Sequence, residues 1–376
     1  MEFGLSEEQT ALQDNVNRYL DEKAPLERVR QFSDGGQEQA DDIWDGLVEL
    51  GLPALLVPEA HGGIELGALD AAAVCECLGQ HVTPSPFLST AVLAPTAIRL
   101  AGSEEQQNRY LPQIATGDAT FGAALSEATG ARRDAGVVAT KAKLSGKALF
   151  AIDLYSDYYL VADTENRLHV VPSDANGLTI NALPQIDRTR PIGEIILNNA
   201  PSDALLNDSQ GSALRSVIDI GRIMIAADTL GASQEMLDRS VQYALEREQF
   251  NRVIASFQAV KHMCAEMAAE IEPSRALLWY AAHTIDEDPE ESHLNACHTK
   301  AHLAEVGSFV GKTATIVHGG MGFTDLLGLH YWFKRIGYNR QILGGPELVR
   351  EEAARAQGLA CSQHISMVTR GNVGGG

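Results

Sequence analysis

The sequence predicts an α+β fold in three consecutive sections, and three observations carry that expectation. Apolar residues recur at helical spacing over residues 1–118. Short β-rich runs punctuated by Gly, Asn, Asp and Pro fill residues 119–205, and long helical patterns return over 206–371. Strands gathered in one section, not alternating with helices, indicate a small antiparallel β-domain and disfavour a parallel nucleotide-binding sheet. At 376 residues the chain exceeds what a single core usually organises, which also favours several packed regions.

The first section opens with Ser6-Glu7-Glu8-Gln9, a capping-box pattern ahead of Leu12, Val16 and Leu20. Its helices are broken by Val57-Pro58-Glu59-Ala60-His61-Gly62-Gly63 and by Pro84-Ser85-Pro86-Phe87. Strands are expected at Val137–Thr140, Tyr158–Ala162, Leu168–Val171 and Glu194–Leu197. In the third section an apolar series begun at Ile218 continues through Tyr243, Leu245 and Phe250. A second helix runs from Ser256 toward Ala282, and a short one from Leu348 to about Ala356. The chain ends in a glycine-rich stretch, and residues 372–376 are expected to be a disordered tail.

A net charge of -21 without a Lys/Arg cluster argues against nucleic acid and anionic membrane surfaces as partners. No apolar stretch approaches the roughly 18 residues of a membrane span, and no basic-then-apolar leader follows Met1, so a cytoplasmic location is expected. Five dispersed cysteines fit a reducing compartment. Cys75 and Cys77 stand at i,i+2, which points them apart on a helix, and no metal is expected.

Two segments of the third section carry chemistry. The first is Tyr243-Ala-Leu-Glu-Arg247-Glu-Gln-Phe250-Asn-Arg-Val-Ile-Ala-Ser-Phe257-Gln258, and the second is His318-Gly319-Gly320-Met321-Gly322-Phe323-Thr324. In this order they resemble the paired signatures of the acyl-CoA dehydrogenase family. Pro58-Glu59-x-x-Gly62-Gly63, Glu76-Cys-Leu-Gly79 and Leu125-Ser126-Glu127 extend the resemblance over nearly the whole chain. It implies the acyl-CoA dehydrogenase fold and FAD-dependent α,β-dehydrogenation of an acyl-CoA thioester. In that reaction a carboxylate takes the α-proton and the flavin accepts the β-hydride. By the same resemblance Arg247, Phe250 and Gln258 hold the diphosphate and adenosine end of a FAD whose flavin lies in a neighbouring subunit. A guanidinium fork suits a diphosphate. Gly319 and Gly320 approach the same cofactor, and Ser126 replaces a hydroxyl donor to the flavin. The competing structural reading pairs Arg247 with Glu246 or Glu248 on a solvated helix and makes the glycines a helix break. Phe150, Ile152 and Ile316 depart from the residues usual at their positions and suggest a degraded flavin pocket.

The family's two usual base positions fall on Gly344, in Gln341-Ile342-Leu343-Gly344-Gly345-Pro346, and on Gly221, beside the retained substrate-binding Arg222. Glycine cannot abstract a proton. The pattern resembles the subunit without catalytic carboxylate in heterotetrameric (α2β2) acyl-CoA dehydrogenases of steroid side-chain catabolism. That resemblance implies a homologous partner carrying the carboxylate, with an electron-transfer flavoprotein as the usual acceptor. Two other readings stay open: an active homo-oligomer using Glu347 or a less favoured carboxylate such as Asp219, and a non-enzymatic acyl-CoA or protein-binding scaffold.

Overall fold

The computed structural model describes residues 4–36, 40–130, 136–208 and 211–359. The glycine-rich tail lies outside the described residues. Six helices form the N-terminal section: α1 (Glu7–Lys23), α2 (Leu26–Gly35), α3 (Asp41–Glu49), α4 (Ala68–Gln80), α5 (Ala94–Ala101) and α6 (Glu104–Ala115). The Ser6/Gln9 capping box starts α1, each side chain satisfying the other residue's backbone N–H. A π-helical turn at Leu88–Leu93 leads directly into α5.

The middle section holds β1 (Phe121–Ala124), β2 (Gly136–Thr140), β3 (Lys143–Ile152), β4 (Tyr158–Ala162), β5 (Leu168–Pro172), β6 (Leu178–Ala182), β7 (Ile192–Pro201) and β8 (Asp203–Leu205). Along the sheet the order is β6-β7-β3-β1-β4-β5-β8, with β2 also paired to β3. The pairs are antiparallel with one exception: β1 runs parallel to β4, in register Phe121 with Tyr158. The loop carrying Asp153 and Ser156 joins β3 to β4, and β3 pairs antiparallel with β1, so β4 is left parallel to β1.

The third section is α7 (Ser212–Glu246), α8 (Gln258–Glu287), α9 (Pro289–His318), α10 (His330–Gln341) and α11 (Pro346–Ala356). The middle of α7 is buried on every side, as expected of a helix central to a core. It meets α4 backbone to backbone. A Cβ on Gly231 would lie 1.9 Å from the Glu76 carbonyl oxygen, and one on Gly79 would lie 2.0 Å from that of Asp228, so only glycine allows the approach.

A buried ionic network joins the sheet to the helices. Arg335 of α10 binds Asp187 at 3.0 Å and Asp228 of α7 at 2.9 Å, and donates to the Thr83 carbonyl at 3.1 Å. Arg190 and Asn339 complete the shell of Asp228 at 2.8 and 2.6 Å. Removing one member of such a network leaves the others charged and buried, which costs several kcal/mol.

Candidate functional site

Tyr243, near the end of α7, stacks on His318, the last residue of α9, with ring centroids 4.6 Å apart. Contact between these helix ends brings the two signature segments, some sixty residues apart in sequence, to one end of the bundle. α7 stops at Glu246. The chain then forms a hairpin in which Glu248 and Gln249 pair with Val253 and Arg252. Phe250 therefore lies off the helix whose apolar series it was expected to continue. Phe250 and Asn251 have φ of 54° and 61°, the two left-handed residues of a type I′ turn. A bulky aromatic is unusual there and stores strain. Phe250 is nonetheless 88% exposed, and it meets Phe257 edge to face, with centroids 6.1 Å apart.

Arg247 caps α7 in extended conformation, its backbone N–H bonded to the Tyr243 carbonyl. Its side chain is exposed, and among the described residues it forms no ion pair with Glu246 or Glu248. Gln258 is the exposed first residue of α8. Gly319 terminates α9 with φ 59° and ψ -140°, a conformation open to glycine alone, and a Cβ on Gly319 or Gly320 would meet nothing within 4 Å. Ile316 stands 64% exposed one turn earlier. The hairpin and the glycine turn form an open surface with an exposed cation, an amide and an aromatic ring, which suits the adenosine and diphosphate end of FAD.

Ala123, Leu125, Ser126, Phe150, Ile152, Ile342 and Leu343 enclose a cavity of only ≈ 20 Å³, enough for about one water. The Ser126 hydroxyl donates to the Leu149 carbonyl. Phe150 adopts φ 55° at the rim.

The base positions lie just behind that cavity. Arg222 is 1% exposed. Its Nε donates to the Leu343 carbonyl at 2.9 Å and its Nη1 to Glu352 at 2.6 Å. Gly344 has φ 103°, and a Cβ there would sit 3.3 Å from Nη2 of Arg222, so a side chain at this position would start beside the guanidinium. A Cβ on Gly221 would lie 2.5 Å from Leu343 Cδ1 and 2.9 Å from Leu93 Cδ2, because those side chains fill the space above it. Glu347 points away: its side chain is 75% exposed and pairs with Arg340 at 3.3 Å. Asp219 is buried, with its carboxylate 2.9 Å from Nδ1 of His293. That hydrogen bond, followed by the contact with Cys297, pushes the His293 imidazole up to about 10. Asp219, Arg222, His293 and Glu352 line a cavity of ≈ 370 Å³. Cys75 and Cys77 are buried free thiols on α4. Sequence reasoning missed His293 and Cys297, although their i,i+4 spacing is a helix-face signal.

Among the described residues no helix is long and apolar enough to cross a membrane. Residues 6–118 match the acyl-CoA dehydrogenase N-terminal domain and residues 211–358 the C-terminal domain. The chain is 28% identical to acyl-CoA dehydrogenase IpdE2 of Mycolicibacterium smegmatis, covering 94% of this chain and 99% of that one. It is 33% identical to a 3-(aryl)acrylate reductase of Clostridium sporogenes over 79% of this chain and 85% of that one. Among solved structures it superposes on the steroid acyl-CoA dehydrogenase Tcur3481-Tcur3483 with TM-score 0.86 at 27% identity, covering 94% of this chain and 98% of that one. For the ChsE4-ChsE5 complex from Mycobacterium tuberculosis the TM-score is 0.87 at 25% identity, covering 96% and 100%. With both family domains matched and this coverage, the chain belongs to the acyl-CoA dehydrogenase family.

Proposed function

We propose that this chain is the subunit without a base in a heterotetrameric FAD-dependent acyl-CoA dehydrogenase, and that it completes the cofactor site of a homologous partner. The observation that carries the reading is the contrast at Arg222. The guanidinium is in place beside residue 344, yet Gly344 and Gly221 bear no carboxylate, and Arg222 is held by the Leu343 carbonyl and Glu352. FAD is the family's cofactor and supplies hydride acceptance when bound. Arg247 would neutralise its diphosphate, Gln258 would bond the polar adenosine end, and Phe250 would cover apolar surface. Gly319 and Gly320 would admit close backbone approach. The isoalloxazine would lie in the partner, together with the carboxylate that takes the α-proton and the acyl-CoA thioester being oxidised.

The names of two similar structures support this assembly, one a steroid acyl-CoA dehydrogenase and one a two-protein complex. A steroid side-chain thioester is accordingly the favoured substrate class, and an electron-transfer flavoprotein the favoured acceptor. A homo-oligomer acting through Glu347 is disfavoured by that residue's exposure and its pairing with Arg340. The test is FAD content and subunit composition of the chain purified alone and after co-expression with its homologous genomic neighbour. The expected result is little flavin alone and stoichiometric flavin in an equimolar complex. Substrate-dependent flavin bleaching by the lone chain overturns the proposal.

A further inference from the structure

Asp219 of α7 and His293 and Cys297 of α9 form a second cluster of chemistry that dehydrogenation does not use. The i,i+4 spacing of His293 and Cys297 places both on one helix face, opposite Asp219. One ligand atom from each residue lies within 4.8 Å of the others. The Asp219 carboxylate is 2.9 Å from His293 Nδ1, and His293 Nε2 is 3.9 Å from Cys297 Sγ. Neighbouring ligands on a tetrahedral zinc stand about 3.3 to 3.6 Å apart, given bonds of roughly 2.0 to 2.3 Å; the two distances involve different ring nitrogens, so a zinc bound through Nε2 requires the Asp219 carboxylate to leave Nδ1 and turn toward the metal.

We propose that Asp219, His293 and Cys297 form a zinc site joining α7 to α9. Mixed oxygen, nitrogen and sulfur donors in a buried setting favour zinc over the harder magnesium or calcium. The fourth position is open. Asp219 and His293 line the cavity of ≈ 370 Å³, which provides an entry path and room for a water ligand. The electrostatic objection is Arg222, whose Nη1 lies 3.5 Å from Cys297 Sγ and 3.6 Å from Asp219 Oδ1. Glu352 at 2.6 Å offsets that cation, and the Asp219 carboxylate with a Cys297 thiolate supplies two negative charges against the dication. Arg222 then acts as a hydrogen-bond donor to the metal-bound sulfur, an outer-shell role common at metal sites.

The experiment uses the untagged full-length chain, and the co-expressed complex in parallel, stripped by chelator and titrated with zinc or cobalt(II). Expected are one ion per chain, a sulfur-to-cobalt charge-transfer band and one sulfur scatterer in zinc X-ray absorption. Cys297→Ser should abolish the band, and His293→Gln should weaken binding at least tenfold. The X-ray absorption measurement needs no variant, so it decides the question even if a substitution prevents folding. Substoichiometric binding, zinc without a sulfur ligand, or a charge-transfer band that survives Cys297→Ser overturns the proposal. None of these readouts depends on flavin or on dehydrogenation.

Discussion

The interior around Arg222 and the surface around Arg247 differ in how far the protein satisfies its own polar groups. Arg222 is enclosed, with a carbonyl, a carboxylate and a thiol as partners. Arg247 projects from a helix end without an ion pair, beside a strained and almost fully exposed Phe250. Nothing internal explains why a chain would hold a large aromatic in left-handed conformation in water. A ligand or a neighbouring subunit would explain it. A satisfied interior is built for packing, and a strained, unsatisfied surface is built for something absent from the chain itself.

Breaking the interior should produce the largest effect. Arg222→Leu leaves the half-buried Glu352 without its cation, removes one of two cations beside the buried Asp219, and leaves the Leu343 carbonyl without its donor. The expected loss is about 3 to 5 kcal/mol of unfolding free energy, read as a lower urea midpoint at unchanged slope. A loss below about 1 kcal/mol would mean that water reaches this cluster freely. The surface should respond oppositely. Arg247→Ala should leave the stability of the lone chain within about 0.5 kcal/mol. In the co-expressed complex it should weaken flavin retention by roughly 1.5 to 3 kcal/mol per lost charge-assisted bond. Full flavin occupancy in that variant complex would reduce Arg247 to an ordinary surface charge.

The same contrast shows what a sequence makes legible. Helix and strand identity follow from local periodicity, so the three sections and the expected strands at Val137, Tyr158, Leu168 and Glu194 all appear in the fold. That Gly344 and Gly221 carry no side chain was also legible, because absence of a side chain is a property of one position. Pairings between distant segments were not. The parallel β1–β4 pair depends on how a loop returns across the sheet, and no local pattern encodes it. Phe250 extends the helical apolar series in one dimension, while the hairpin that removes it from the helix is set by backbone pairing of Glu248 with Val253. The Asp219–His293–Cys297 cluster requires two helices to be brought face to face.

A smaller effect tests whether the missing base is the only defect of this chain's own pocket. Gly344→Glu requires φ near 103° from a residue with a Cβ, a strain of about 1 to 3 kcal/mol. Gly221→Glu must displace Leu343 and Leu93. Neither variant, as a lone chain with added FAD, should form enoyl-CoA from a panel of acyl-CoA thioesters. The expectation rests on the narrow cavity of ≈ 20 Å³ beside Ser126 and Phe150, since turnover needs the flavin held in alignment with the substrate. Turnover with bound FAD in either variant would show that the interior is an intact active site lacking only its carboxylate.

The smallest effect, a slope with pH, probes the interior from the other side of the Leu343–Gly344 turn. Lys300 on α9 is buried and donates to the carbonyls of Asn339 and Arg340, in the last turn of α10 just before Gln341 and Ile342. Burial, with Arg222 and Arg340 nearby, pushes its ammonium down to about 7 from the ordinary 10.5. Between those pH values the unfolded chain binds a proton that the folded chain releases, so this group makes stability rise with pH across the window. Below pH 7 both states are protonated and the full penalty is present. His293 acts in the opposite direction: its raised value means stability present below about 6.5 and lost as pH climbs toward 10. The informative quantity is therefore the difference between wild type and Lys300→Met, in which the His293 contribution cancels. Urea unfolding of chelator-treated protein at several pH values should show the wild type gaining on the variant between pH 7 and 10, by at most about 1.4 kcal/mol per pH unit. A constant difference across that range would show that Lys300 keeps its charge in the folded state, held by the two carbonyls, and that this side of the interior is more polar than its burial implies.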